Sequence, residues 1–168
     1  VLEIDQLFNI GRRGMQTSIA KIILTDKFIR LGNQAQISLK RKGTFSARLV
    51  KDGIEVSNLG TQGFLPWSVF EETIAFLEQQ GGRAMKGDAI GSRLGEKGLA
   101  LNTIEGHIAA TIYGKQPGQY VLRRITPIAR ILDWAGLCED QSGYLLLLSL
   151  IHISAPTRLL SISSAVFC

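Results

Sequence analysis

Hydrophobic and polar residues alternate along residues 35–58, and this two-residue period is the spacing of β-strands. Residues 35–40 and 44–51 each place apolar side chains on one face and polar side chains on the other. A Gly-containing connection, Arg41-Lys42-Gly43, joins these two strands, and Asp52-Gly53 between alternating runs is a strong signal for a second hairpin. The pattern therefore predicts a three-stranded antiparallel meander over this segment.

From residue 68 onwards, the apolar residues recur at the three- and four-residue spacing of helices. Three short helices are predicted, and each start carries a capping signal. The residues of these signals are Ser68 with Glu71, Asn102 with Glu105, and Thr126 before Pro127. Glycines follow the apolar stripes and end the helices. A returning strand is predicted at residues 144–147.

Together these elements predict an α+β fold, in which an N-terminal antiparallel β-meander is followed by three short helices in a winged-helix-like arrangement. The apolar, isoleucine-rich segments at residues 17–24 and 27–31 are predicted as two further strands. Residues 1–63 then form a β-rich part and residues 64–147 a helical part. We expect the two parts to make one compact unit.

The end of the chain reads LSLIHISAPTRLLSISSAVFC over residues 148–168. This segment resembles the conceptual translation of a transposase-type sequencing adapter, which has Glu in place of Ala155 and Tyr in place of Ser164. The resemblance implies that the tail is not native and that the natural protein continues past Leu147. Because the chain starts at Val1, we expect an incomplete N-terminus as well.

Charge divides the remaining chain unevenly. Residues 1–63 contain ten basic and five acidic residues, whereas residues 64–147 contain eight and nine. The longest apolar run is too short to span a bilayer and no signal peptide is recognisable, so we expect a cytoplasmic protein without a membrane segment. Two cysteines exclude a disulfide scaffold.

Metal, cofactor and enzyme chemistry are not favoured by this sequence. Outside the tail, His107 and Cys138 are too few for a structural zinc site, and a lone His on an apolar stripe is usually packed. The glycines of residues 87–98 do not have P-loop or dinucleotide spacing. We therefore predict no metal and no cofactor, and we expect catalytic activity only if sequence beyond Leu147 supplies the residues that complete a site.

The best functional signal is a group of cations that the meander would bring to one hairpin tip and its neighbouring strand. Lys40, Arg41, Lys42 and Arg48 would contact backbone phosphates of DNA or RNA without reading sequence. The supporting cations are Arg12, Arg13, Arg123 and Arg124. The helix predicted at residues 103–113 exposes no Arg, Lys or Gln, so we do not expect it to read base edges.

The sequence thus predicts a nucleic-acid-binding or accessory module of a larger bacterial-type protein. The alternative is a protein-interaction or scaffold module without catalytic activity. In that alternative, Phe64, Leu65 and Trp67 around Pro66 would contact a protein partner or the missing C-terminal region.

Overall fold

The computed structural model describes residues 19–148, which form a mixed α+β structure with two antiparallel sheets. A helix, α1, covers residues 19–30 of the described chain. The first sheet follows it and contains β1 (Gln34–Ser38), β2 (Thr44–Val50), β3 (Gly53–Val56) and β4 (Phe64–Pro66). The later elements are α2 (Trp67–Gln79), β5 (Arg83–Met85), α3 (Ile104–Thr111), α4 (Ile125–Trp134), β6 (Cys138–Gln141) and β7 (Tyr144–Leu147). Short 3-10 turns occupy Ser57–Gln62 and Lys97–Leu99.

The prediction of strands at residues 17–24 and 27–31 is wrong, because residues 19–30 form the helix α1. Ala20, Leu24 and Phe28 recur every four residues and are fully buried, so the helical period decides which side chains enter the core. Isoleucine-rich composition favours strands, but burial of one helical face in the hydrophobic core overrides that preference.

The predicted meander is confirmed, and a fourth strand extends it in the order β1-β2-β3-β4. The second hairpin turns one residue earlier than predicted, since Val50 pairs with Gly53 and the turn is Lys51-Asp52. Gly53 is therefore the first residue of β3, where a Cβ atom would collide with the backbone oxygen of Leu65 on β4. The glycine permits close approach of two strands rather than a turn.

The helices are found near their predicted positions, but none uses its predicted cap. Strand pairing continues to Pro66 and the Trp67 N–H donates to Asp52 O, so α2 starts before Ser68. The N-cap of α3 is Thr103, whose hydroxyl accepts from the Gly106 N–H at 3.1 Å. Helix α4 begins at Ile125, ahead of the predicted cap.

The second sheet contains the predicted strand β7 and two strands that the sequence analysis missed, in the order β5-β7-β6. All pairs are antiparallel. The C-terminal half therefore runs helix, strand, helix, helix, strand, strand from α2 to β7.

The larger hydrophobic core of the described residues extends from Ala20 to Leu145 and includes side chains of both sheets and of helices α1 to α4. Helix α4 lies deep in this core, with all of its residues buried or half-buried. Among residues 19–148, no helix is long and apolar enough to cross a membrane. The prediction about the adapter-like tail lies outside the described residues except for Leu148, as does the prediction of basic contacts at Arg12 and Arg13.

Candidate nucleic-acid interface

The tip of the β1–β2 hairpin, residues 40–43, brings three consecutive cations to the surface of the molecule. A Leu39 N–H to Gly43 O hydrogen bond of 2.9 Å closes the turn, and Gly43 has a φ of 93°. Arg41 and Lys42 are exposed, and in the part of the chain that the structure describes neither forms an ion pair. Their charges are therefore available to an anionic ligand.

Lys40 holds this tip against the second sheet. Its Nζ donates to the backbone oxygen of Asp140 on β6 at 2.7 Å. The carboxylate of the same Asp140 accepts from Lys86 Nζ at 2.6 Å and from Arg130 Nη1 at 3.3 Å. Arg130 also donates through Nε to the backbone oxygen of Ser38, at 2.8 Å, so a second bond joins the hairpin to α4.

Sequence reasoning missed Lys86 and Arg130 as parts of this cluster. The signal that could have found them lies in β6, where buried Cys138 and Asp140 alternate with exposed Glu139. An acidic residue at an inward position of a strand requires a cationic partner, because a buried unpaired carboxylate is costly. Which cations supply that pairing depends on tertiary contacts.

Arg48 lies on the outer face of the first sheet, where its guanidinium forms an ion pair with Glu55 of the neighbouring strand. This pair and the exposed ring of Phe64 line an open depression of about 400 Å³. Because Glu55 neutralises Arg48, the outer face adds little positive charge to the tip. Of the three residues proposed for protein contacts, only Phe64 is exposed, whereas Leu65 and Trp67 are buried.

Arg123 and Arg124 have opposite environments although they are adjacent. Arg123 is exposed, and its Nε donates to the Thr126 hydroxyl at 3.2 Å. Arg124 is only 7% exposed; its guanidinium carbon lies 3.6 Å from the ring centroid of Tyr113, and Nη2 donates to Gln62 at 3.3 Å. Arg124 is therefore part of the protein interior and cannot reach a phosphate in this conformation.

Glu105 on helix α3 caps the start of helix α4 through a hydrogen bond. Its Oε1 accepts from the Arg124 N–H at 2.6 Å, and this interhelical cap replaces the local one predicted at Thr126. Burial raises the pKa of Glu105 to about 7, against the lowering effect of hydrogen bonds from the backbone of Arg124 and Ile125. Glu105 Oε2 and the Tyr113 hydroxyl have no protein partner within the described chain.

His107 is a packed residue on α3. Its ring stacks on Phe76 with centroids 4.3 Å apart, and Nε2 lies 3.7 Å from Glu72 Oε1. Within the two described sheets and four helices, no three metal-ligating side chains come together. Comparison of the whole chain with protein-family models, curated proteins and solved structures gave no match.

Proposed function

We propose that this chain is a nucleic-acid-binding module that contacts backbone phosphates through the hairpin tip at residues 40–43. The observation that carries the proposal is the pair of exposed, unneutralised cations Arg41 and Lys42 on a turn that Lys40 fixes to the second sheet. Cations on a fixed turn lose less conformational entropy on binding than cations on a mobile arm. Phosphate contacts of this kind give affinity without sequence preference.

The order of elements from α2 to β7, together with the sheet order β5-β7-β6, supports a winged-helix-like assignment of this half. In a helix-turn-helix module, the second helix enters the major groove. That position belongs to α4 here, and its burial against α1, β1 and β6 argues against groove insertion. The proposal therefore assigns binding to the hairpin tip and not to a recognition helix, with fold-level analogy as secondary support.

The proposed partner is DNA or RNA, and the proposed location is the cytoplasm. The protein-interaction alternative loses two of its three contact residues, because Leu65 and Trp67 lie in the core. No catalytic role is proposed.

The proposal is tested by fluorescence anisotropy with a labelled duplex and a labelled single strand of about 20 nucleotides, between about 50 and 200 mM salt. We expect the double variant Arg41→Ala, Lys42→Ala to bind more weakly. The slope of log affinity against log salt should fall in magnitude by about 2 for a duplex. A matched control, Lys21→Ala with Arg30→Ala, removes the same charge from the exposed side of α1.

Loss of affinity in the tip variant with little change in the control supports a local contact. An equal loss in both variants would indicate a diffuse effect of net charge and would refute the assignment to the tip. If the wild-type chain binds neither oligonucleotide at the lowest salt, the nucleic-acid proposal itself is wrong.

A further inference from the structure

Two long loops of the C-terminal half present an exposed aromatic ring paired with a cation. They are residues 86–103, between β5 and α3, and residues 112–124, between α3 and α4. Tyr120 is 70% exposed, more than any other aromatic side chain among the described residues. The guanidinium carbon of Arg93 lies 4.5 Å from the Tyr120 ring centroid, and Arg93 Nη2 donates to the Tyr120 hydroxyl at 2.8 Å.

Backbone hydrogen bonds join the two loops, so the positions of Arg93 and Tyr120 relative to each other are fixed. The Leu94 N–H donates to Gln119 O at 3.0 Å, and the Gly118 N–H donates to Leu94 O at 2.8 Å. Leu94 and Val121, each next to a member of the pair, are buried in a small hydrophobic cluster of their own. The Tyr120 ring is therefore exposed although Val121, the residue that follows it, is packed.

Residues 86–124, which are the two loops with α3 between them, contain six basic and three acidic side chains. Lys86 pairs with Asp140 and Arg124 is buried, so neither of these two cations is available to a ligand. The acidic side chains are engaged with backbone: Asp88 accepts from Ile90 and Gly91, Glu96 accepts from Arg93 at 2.7 Å, and Glu105 accepts from Arg124. Lys97 and Arg123 are exposed on the same pair of loops.

We infer that the Arg93–Tyr120 pair, here called the loop platform, is a second nucleic-acid contact that stacks a base of a single strand. An exposed ring with a guanidinium against it offers a base two planar partners, and the cation also attracts phosphate. A base inside a duplex is already stacked on its neighbours, so this contact selects unpaired nucleotides. The inference rests on the proposed function, since it takes the partner to be a nucleic acid.

The test compares a labelled oligothymidylate of about 20 nucleotides with a duplex of the same length, by anisotropy at fixed salt. Tyr120→Ala should weaken binding of the single strand roughly tenfold and leave duplex affinity unchanged. Tyr120→Phe keeps the ring and removes the hydroxyl, so it should stay within about twofold of the wild type. Because Tyr120 is largely exposed, both variants should keep the wild-type melting temperature, measured by circular dichroism.

Unchanged single-strand affinity in Tyr120→Ala would overturn the loop platform, and so would an equal loss of single-strand and duplex affinity. If that happens while Arg41→Ala with Lys42→Ala still weakens binding, the hairpin proposal stands without the platform. Absence of binding by the wild-type chain to both probes would refute the two together.

Discussion

Lys40 Nζ donates to the backbone oxygen of Asp140 at 2.7 Å, and this bond joins residues 100 positions apart in the chain. It ties the tip of the first sheet to β6 of the second sheet. The contact gives one of the three tip cations a structural role, whereas Arg41 and Lys42 are the cations that we propose to contact phosphate. Replacement of Lys40 and replacement of Lys42 should therefore have different effects on the stability of the fold.

Replacing Lys40 with Met should lower the free energy of unfolding by about 2 kcal/mol, because a part-buried hydrogen bond from a charged donor is lost. Guanidinium chloride denaturation followed by circular dichroism measures this change. The matched variant Lys42→Met removes the same charge two residues away and should leave stability within about 0.5 kcal/mol of the wild type. Equal stability of the two variants would mean that the Lys40 contact does not hold the hairpin.

Asp140→Asn should destabilise the fold by about 3 kcal/mol, because it leaves the cations of Lys86 and Arg130 without their shared carboxylate. The Asp140 side chain is only 3% exposed, so water replaces little of the lost interaction. The control is Asp26→Asn, which breaks the exposed pair with Arg30 and should cost less than about 1 kcal/mol. Chemical denaturation of both variants at low and high salt makes the comparison, and similar losses in the two would count against a buried cluster.

Glu105 should make stability depend on pH between about 4.5 and 7. Its pKa is about 7 in the folded chain and 4.5 as the ordinary value, so in this window the native state keeps a proton that the unfolded state has released. The free energy of unfolding should therefore fall as pH rises through the window, by up to about 3 kcal/mol, and level off above it.

The variant Glu105→Gln can still accept the Arg124 N–H but cannot ionise. Its stability should lack this component of the pH dependence, and above pH 7 it should exceed that of the wild type. Urea denaturation at half-unit pH steps compares the two profiles. Parallel curves for the wild type and Glu105→Gln would show that Glu105 does not titrate in this range.

Leu24→Ala and Ile22→Ala distinguish the helix α1 from the strand that composition predicts. A strand would place both side chains on one face, whereas the helix buries Leu24 completely and leaves Ile22 65% exposed. We expect Leu24→Ala to cost about 3 kcal/mol and Ile22→Ala less than about 0.5 kcal/mol. Thermal unfolding of the two variants measures the difference, and equal costs would be at odds with α1.

Local patterns were enough to predict the meander, because alternation along β2 and β3 is set by the residues of those strands. The same reasoning failed for α1, where the four-residue spacing of Ala20, Leu24 and Phe28 was present but isoleucine content suggested strands. Periodicity was the better guide there, since burial follows side-chain direction and propensity is a weak preference.

The candidate site was predicted where it depends on one hairpin and missed where it depends on distant residues. Arg123 and Arg124 are alike in sequence, yet Tyr113 and Gln62 enclose only the second of them. Glu105 gives a second example: a local rule assigned it to its own helix, but its carboxylate caps α4 instead. Rules based on residue spacing cannot predict these contacts, because each contact joins segments that meet only after folding.

The enclosure of α4 also determines how the molecule can open. Arg130 bonds to Ser38 on one sheet and to Asp140 on the other, and Trp134 accepts from Lys27 of α1 at 2.6 Å and packs on Phe28. The backbone amides of α4 can therefore meet solvent only when both sheets separate from it. In deuterated water these amides should exchange last and only through global unfolding, so their protection factors should measure the free energy of unfolding of the described fold.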